Sequence, residues 1–334
     1  MSAGMKKTDF GSPKSVFAFS GSSRTTFKNE EQEMSFDKNF TVLGGDLRQA
    51  ALASYLASKQ YEVVTWGLPA QTLSPTVTPL DTWENAVLGA GVLILPLPAS
   101  PDSKHLNLPL MQEEGKKTPR IFEILEKTPK NALVAGGRLS PKIREELMRQ
   151  GLSFFDYFES ETLQQKNAVP TAEGAIEVLM REVKRTVRDL TVAVTGFGRV
   201  SRALTALLLA MGARVTVMAR KQADITEASA LGCAGFLLEG ERALSSLGGQ
   251  FAVIFNTVPY CLFDEAVLRS LSRDTLIIDL ASAPGGVDAN AANALGIRTI
   301  WALSLPGKYA PITAGEIIAE TVLSYLSTRK EGGL

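Results

Sequence analysis

The run Thr191-Val192-Ala193-Val194-Thr195 is β-branched or apolar throughout, and it passes directly into Gly196-Phe197-Gly198-Arg199-Val200-Ser201 and then a helical stretch, Arg202 to Met211. A strand without polar alternation is buried on both faces, which is the situation of strands in parallel sheets covered by helices. Strand, glycine turn and helix in that order therefore open a doubly wound α/β unit. The turn also implies a ligand chemistry. Gly196 allows the tight bend, Gly198 lets backbone amides approach a diphosphate, and the helix amino end favours negative charge. Ser201 stands where a third glycine is usual, and its small side chain still permits close packing of helix on strand. Gly196, Phe197, Gly198, Arg199 and Val200 are thus assigned to a dinucleotide cradle; the competing reading is a glycine turn that only packs.

The remaining chain supplies the frame. Its 334 residues are about twice a usual domain, so two domains are expected. Phe40 to Leu43 reads as a strand followed by Gly44-Gly45 and a helix from Asp46 to about Lys59; Tyr61 to Thr65, Gly91 to Leu95 and Asn131 to Ala135 read as further strands. Pro141 to Gln150 reads as a helix stopped by Gly151, and the alternation suggests a parallel sheet of about five strands. A second sheet is built from Leu190 onward, with strands at Arg214 to Met218, Phe251 to Asn256, Leu276 to Leu280 and Arg298 to Trp301. Between the sheets, Thr171 is placed as the cap of a helix running to about Thr186. Thr313 to about Thr328 is a closing helix expected to pack back on the first domain. The expected division is an extension at 1–38 that is disordered or foreign to the fold, an N-terminal α/β domain at 39–168, an interdomain helix at 169–188, a dinucleotide domain at 189–305 and a returning segment at 306–330.

Charge and cysteine usage narrow the partners. Lys plus Arg and Asp plus Glu both number 35, so no excess of one sign favours nucleic acid or an anionic membrane, and a small molecule is the expected partner. Cys233 and Cys261 are the two cysteines and form no CxxC pair, which fits a reducing, cytoplasmic setting with neither disulfides nor a metal centre. No apolar stretch reaches the roughly 20 residues of a bilayer span.

The strand ends refine the cofactor. An acidic residue at the end of the second strand would accept from a free ribose 2′-hydroxyl, but here Ala219-Arg220-Lys221 follows, and two cations suit a 2′-phosphate. NADP(H) is favoured and NAD(H) remains possible, since cations at strand ends are also common on plain surfaces. Asn256-Thr257-Val258-Pro259 and Ala281, at the ends of two further strands, are expected to border the same cofactor, with ordinary strand-ending turns as the alternative.

The phrases Gly44-Gly45-Asp46-Leu47-Arg48-Gln49, Pro170-Thr171-Ala172-Glu173-Gly174, Gly196-Phe197-Gly198-Arg199, Asn256-Thr257-Val258-Pro259, Asp279-Leu280-Ala281-Ser282 with Pro284-Gly285-Gly286, and Leu305-Pro306-Gly307 with Ala310-Pro311 and Thr313-Ala314-Gly315 stand in an order that resembles the dipicolinate synthase A-subunit family. The resemblance covers about Asn39 to Leu326; the amino-terminal extension and Ser201 depart from it. It implies an arrangement similar to D-2-hydroxyacid dehydrogenases, with the substrate domain first and the Rossmann domain second. It also implies an oxidoreductase of the mother cell of a sporulating bacterium, acting on dihydrodipicolinate from a branch of lysine biosynthesis. Its implied partner is a flavoprotein-like B-subunit, and homo-oligomerisation is expected as well.

A dicarboxylate substrate needs anion binders. Arg48, in the first turn of the first helix, is the first candidate; Ser282 and the amides of Gly285 and Gly286 are expected at the second carboxylate, with Thr171 assisting from a helix amino end. Glu173 is the only acid in these motifs and the candidate for proton removal, against a capping role. His105, the single histidine, is read as a solvated loop residue, and Lys308 is an outside candidate for carboxylate binding. Two other functions stay open: an NADP-dependent dehydrogenase of another small acid, of D-2-hydroxyacid or shikimate type, and a non-catalytic NADP-binding protein that serves a larger assembly.

Overall fold

A computed structural model describes residues 39–111, 118–239, 244 and 250–331. The expected extension at 1–38 lies outside the described residues. The first sheet contains β1 (Asn39–Leu43), β2 (Glu62–Trp66), β3 (Thr78–Pro79), β4 (Val92–Ile94), β5 (Leu133–Gly136) and β6 (Ser153–Asp156), all parallel, in the order β3-β2-β1-β4-β5-β6. The second contains β7 (Thr191–Thr195), β8 (Arg214–Ala219), β9 (Ala234–Leu237), β10 (Val253–Asn256), β11 (Leu276–Asp279) and β12 (Arg298–Trp301), also all parallel, in the order β12-β11-β10-β7-β8-β9. Numbered from its own first strand, each sheet runs 3-2-1-4-5-6. The winding direction therefore reverses beside β1 and beside β7, and crevices open there at the carboxyl ends of the strands.

The expected doubly wound class holds for both halves, with corrections of detail. The first sheet has six strands rather than about five. The strands that sequence reading passed over, β3, β6 and β9, are all edge strands, half exposed and without a long apolar run, so they lack the signal that marks the central ones.

Helices end where the backbone chemistry requires. The helix Leu47–Ser58 starts at Asp46, whose side chain accepts from the Arg48 amide, while the Gln49 side chain accepts from the Asp46 amide at 3.2 Å. The helix after the glycine turn spans Arg199–Ala210, starting earlier than the expected Arg202. The largest correction concerns the connection between the sheets: it is one helix, Glu161–Glu182, capped by Ser160, with Pro170 in its interior. Thr171 is no cap. Its hydroxyl donates to the Asn167 carbonyl at 2.7 Å, four residues back in mid-helix. Gly174 marks a close approach instead, because a Cβ there would stand 2.8 Å from Leu305 Cβ and 3.0 Å from the Tyr309 ring.

The closing helix is Pro311–Glu331, longer than expected, and shares a core with the first sheet and its first helix. Ile317, Ile318, Val322 and Leu326 join Phe40, Leu52 and Leu56 in one core cluster. Gly315 permits this, since any side chain there would collide with the Arg48 carbonyl and Ala51. Among the described residues no helix is long and apolar enough to cross a membrane, and no group of three or more His, Cys, Asp or Glu is placed to hold a metal ion.

Candidate functional site

The glycine turn lies at the carboxyl end of β7, at the switch point of the second sheet. Gly196 has φ +83°, and a Cβ on it would stand 2.7 Å from Thr257 Oγ1 and 3.0 Å from Val258 Cγ2, so both its backbone and its neighbours demand glycine. Gly198 differs. It is the N-cap of Arg199–Ala210 in an extended conformation, φ −88° and ψ −164°, with no side-chain cap. A Cβ there would meet nothing within 4 Å. The helix thus starts beside open space with no side-chain cap, an arrangement suited to an anion. Ser201 fills the place of the third glycine, fully buried, its hydroxyl donating to the Gly198 carbonyl at 3.1 Å.

A cavity of about 1460 Å³ opens at this turn. That exceeds the roughly 300–1,000 Å³ of ordinary small-molecule pockets and suits an extended ligand. Of the predicted cofactor residues, Gly196, Phe197, Gly198, Arg199, Ala219, Arg220, Lys221, Val258 and Pro259 line it, whereas Val200, Asn256, Thr257 and Ala281 do not. The cations around it are in different states. Arg199 donates from Nε to Glu161 at 2.7 Å, and the guanidinium holds the Glu161 carboxyl below its usual value. Arg202 lies 4.3 Å from the centre of the Phe197 ring and pairs with Asp224 and Glu227. Arg220 and Lys221 are exposed and form no ion pair among the described residues, which leaves the end of β8 open to an anionic group. No acid follows β8 directly.

The loops after β10 and β11 are knitted together. Asn256, 0% exposed, accepts from Thr195 Oγ1 at 2.6 Å and donates to Asp279 Oδ1 at 2.8 Å and to the Val258 carbonyl at 3.0 Å. Its amide is therefore spent inside the protein, and the expectation that it meets the ribose or carboxamide is corrected to a role in shaping the loops. Thr257 likewise donates its hydroxyl to the Thr195 carbonyl at 2.7 Å. The Ala281 amide donates to Asp279 Oδ1 at 3.0 Å, that of Gly286 to Asp279 Oδ2 at 2.7 Å, and that of Gly285 to the Ser282 carbonyl at 2.9 Å. Gly285 and Gly286 consequently offer no free amide to a second carboxylate, a further correction. Ser282 keeps its hydroxyl unbonded among the described residues and half-buried.

Substrate-side candidates lie apart from this cavity: Arg48, Thr171, Glu173, Ser282, Gly285 and Gly286 are all absent from its wall. Arg48 is 5% exposed, not solvated. It donates to Asp46 at 2.8–3.2 Å and from Nη2 to the Leu97 carbonyl at 2.8 Å, while Gly307 packs so close that a Cβ would stand 2.9 Å from Nε. Glu173 projects exposed from mid-helix with no hydrogen bond among the described residues, so neither capping nor proton removal at the cavity follows from its position. His105 is half exposed and holds Asp102 Oδ2 through Nδ1 at 2.7 Å, and that contact together with the loop amides keeps the Asp102 carboxyl far below its usual value. Lys308 is exposed in the last turn of the Leu305–Tyr309 helix.

Sequence reading missed Gln165, Ala168 and Val169 in the cavity wall, because it did not extend the interdomain helix back to Glu161. It also missed Arg202, Tyr260 and Cys261. Burial first, then the charges of Asp288 and Asp264, push the Cys261 thiol up. No local motif marks these residues.

Residues 39–158 match the family model for the N-terminal domain of the dipicolinate synthase A-subunit. The dipicolinate synthase A-subunit of Bacillus subtilis is 28% identical over 287 residues, covering 86% of this chain and 95% of that protein. The crystal structure of the dipicolinate synthase A-subunit from Bacillus halodurans superposes with a TM-score of 0.77 at 27% identity, over 86% of this chain and 97% of that one. A transhydrogenase from Sinorhizobium meliloti shares the fold at 14% identity, with a TM-score of 0.64 over 86% of this chain and 94% of that one. The resemblance carried by the sequence motifs holds: over most of its length the chain is similar to dipicolinate synthase A-subunits, and its residues 39–158 match the model of their N-terminal domain.

Proposed function

We propose that this chain is the oxidoreductase A-subunit of a dipicolinate synthase, converting dihydrodipicolinate to pyridine-2,6-dicarboxylate with NADP as acceptor. The observation that carries the reading is the cavity at the β7 switch point. It combines an uncapped helix amino end, open space beside Gly198 and two cations after β8 that form no ion pair among the described residues, in a chain that aligns with that family over most of its length. The residues present fit the cofactor. The uncapped helix amino end at Gly198 and Arg199 would hold the diphosphate, Gly196 and Gly198 give it room, and Arg220 with Lys221 would hold a ribose 2′-phosphate. When bound, the oxidised nicotinamide supplies a hydride acceptor. NAD remains the alternative cofactor.

The protein's contribution is chiefly positional. The substrate loses one hydride and one proton and gains an aromatic ring, so the driving force lies in the product, and placing the dianion supplies much of the catalysis. Arg48 is the charged group of the first domain retained from the sequence reading; Glu173 keeps no support as the base from its exposed place. A flavoprotein-like B-subunit is proposed as the partner, self-association as an additional state, and the cytoplasm of a sporulating mother cell as the setting. The domain division at 39–168, 169–188, 189–305 and 306–330 is proposed with it; the long helix Glu161–Glu182 crosses the first of its boundaries.

The test is ultraviolet detection of pyridine-2,6-dicarboxylate from freshly generated dihydrodipicolinate, with NADP or NAD, with and without the B-subunit. Product formed with NADP supports the reading. Turnover only in the mixture makes this chain an incomplete enzyme. Cofactor binding without turnover in either case favours a non-catalytic NADP-binding role, consistent with Asp224 and Asp264 of the cavity wall being engaged by Arg202 and by the Val267 amide.

A further inference from the structure

One cation near the carboxyl ends of β4 and β5 has no carboxylate partner among the described residues. Arg138 follows Gly136-Gly137 at the end of β5 with φ +53°, a conformation uncommon outside glycine. The buried Asp156 carboxylate holds it, accepting through Oδ1 from the Arg138 amide at 3.0 Å and through Oδ2 from the Leu139 amide at 2.8 Å and from Arg144 Nη2 at 2.6 Å. The bend projects the Arg138 side chain over the Phe158 ring, 4.6 Å from its centre. There the guanidinium forms no ion pair and no side-chain hydrogen bond among the described residues.

Its neighbour is Arg48. Gly137 accepts from the Ala99 amide at 2.8 Å and donates to the Pro96 carbonyl at 3.1 Å, so the segment Pro96–Ala99 bridges the two arginines, and Arg48 Nη2 bonds within it to the Leu97 carbonyl at 2.8 Å. Burial and the charge of Arg48 both push the Arg138 guanidinium below its usual value, with Asp156 opposing them. Arg48 is neutralised by Asp46, yet its Nη1 makes no hydrogen bond among the described residues. Arg138 is exposed, so its guanidinium, fixed by a positive-φ turn and laid on an aromatic face near a second cation, is open to an anion arriving from solvent.

We propose that Arg138 is a carboxylate-binding residue, its planar fork held ready by Phe158 to receive one carboxylate of a small dianion, with Arg48 Nη1 as a supporting donor. The inference rests on the function proposed above for its substrate class, a dicarboxylate. Its novelty is the site: the turn after β5, outside every motif that carried the family resemblance.

The test is calorimetric binding to the full chain of pyridine-2,6-dicarboxylate, pyridine-2-carboxylate and glutarate, with NADPH measured in parallel. Arg138→Asn removes the guanidinium while tolerating the left-handed backbone. It is expected to weaken pyridine-2,6-dicarboxylate by about 10- to 100-fold and to leave NADPH affinity unchanged. The preference for two carboxylates over one should shrink in the same variant, which general damage to the fold would not produce. Arg138→Lys should recover part of the affinity and Phe158→Leu should lose part of it. Wild-type affinity in Arg138→Asn, equal losses for both pyridine acids, or no binding of any dicarboxylate to the wild type would overturn the proposal. Glutarate bound through Arg138 with pyridine-2,6-dicarboxylate ignored would uphold the site and reject the substrate assigned above.

Discussion

Gly196 and Gly198 flank one phenylalanine, yet replacing each with alanine should damage different properties. At Gly196 the backbone at φ +83° costs a Cβ-bearing residue about 1–2 kcal/mol. The new Cβ also stands 2.7 Å from Thr257 Oγ1, threatening the hydrogen bond to the Thr195 carbonyl that ties β7 to the next loop, for about 1 kcal/mol more. Gly196→Ala should therefore lose about 2–3 kcal/mol of stability. Gly198 has an extended backbone and no atom within 4 Å of the added carbon, so Gly198→Ala should lose less than about 1 kcal/mol, the cost of alanine at an N-cap. The open space that makes it harmless to folding is where a diphosphate would approach the helix amides. Overpacking a bound ligand by one methyl costs about 1–3 kcal/mol, or about 5- to 150-fold in NADPH affinity. Urea unfolding and NADPH fluorescence titration of the two variants give the readouts. A Gly198→Ala protein that binds NADPH like the wild type would refute the cradle; equal destabilisation by both substitutions would refute the geometry assigned to the turn.

Arg220→Asp should weaken NADPH far more than NADH, because a carboxylate at the end of β8 repels a 2′-phosphate and accepts from a free 2′-hydroxyl; equal losses in titrations of both would remove the cofactor preference. Arg48→Ala leaves Asp46 without its cation and the Leu97 carbonyl without its donor, so chemical denaturation should show a loss of about 3 kcal/mol while NADPH binding persists, and a change under about 1 kcal/mol would contradict the buried pairing. Since the Cys261 thiol is pushed up by burial and by Asp288 and Asp264, less thiolate is present at a given pH than in a free cysteine. Maleimide modification followed by mass spectrometry should be slow at neutral pH, accelerate above the ordinary thiol range, and be blocked by NADPH because Cys261 lines the cavity; rapid labelling at about pH 6, well below the ordinary thiol range, would contradict it.

The two sheets were legible because their central strands must be apolar on both faces, and Thr191–Thr195 and Phe40–Leu43 carry that requirement as uninterrupted runs. The glycine turn was legible for a related reason: a positive φ and a close approach leave few residue choices at Gly196, and that restriction is local. Edge strands β3, β6 and β9 are satisfied by pairing on one side only, and their sequences were correspondingly free of a pattern. The helix Glu161–Glu182 was misplaced because proline and threonine at 170 and 171 carry the local marks of a helix start, whereas packing of Gly174 on Leu305 and Tyr309 keeps the helix continuous through them.

The chemistry shows the same division. Sequence alone determined that a glycine turn stands at the end of β7 and that cations rather than an acid follow β8, since both are properties of adjacent residues. Only tertiary structure decided which polar groups are available. Asn256 and the amides of Gly285 and Gly286 look like ligand donors in sequence but are consumed by Asp279, Val258 and Ser282, while Arg138, unmarked by any motif, is left without a carboxylate partner among the described residues. Whether a donor is free depends on what lies opposite it in space. That is set by the sum of distant packing contacts, and no stretch of neighbouring residues encodes it.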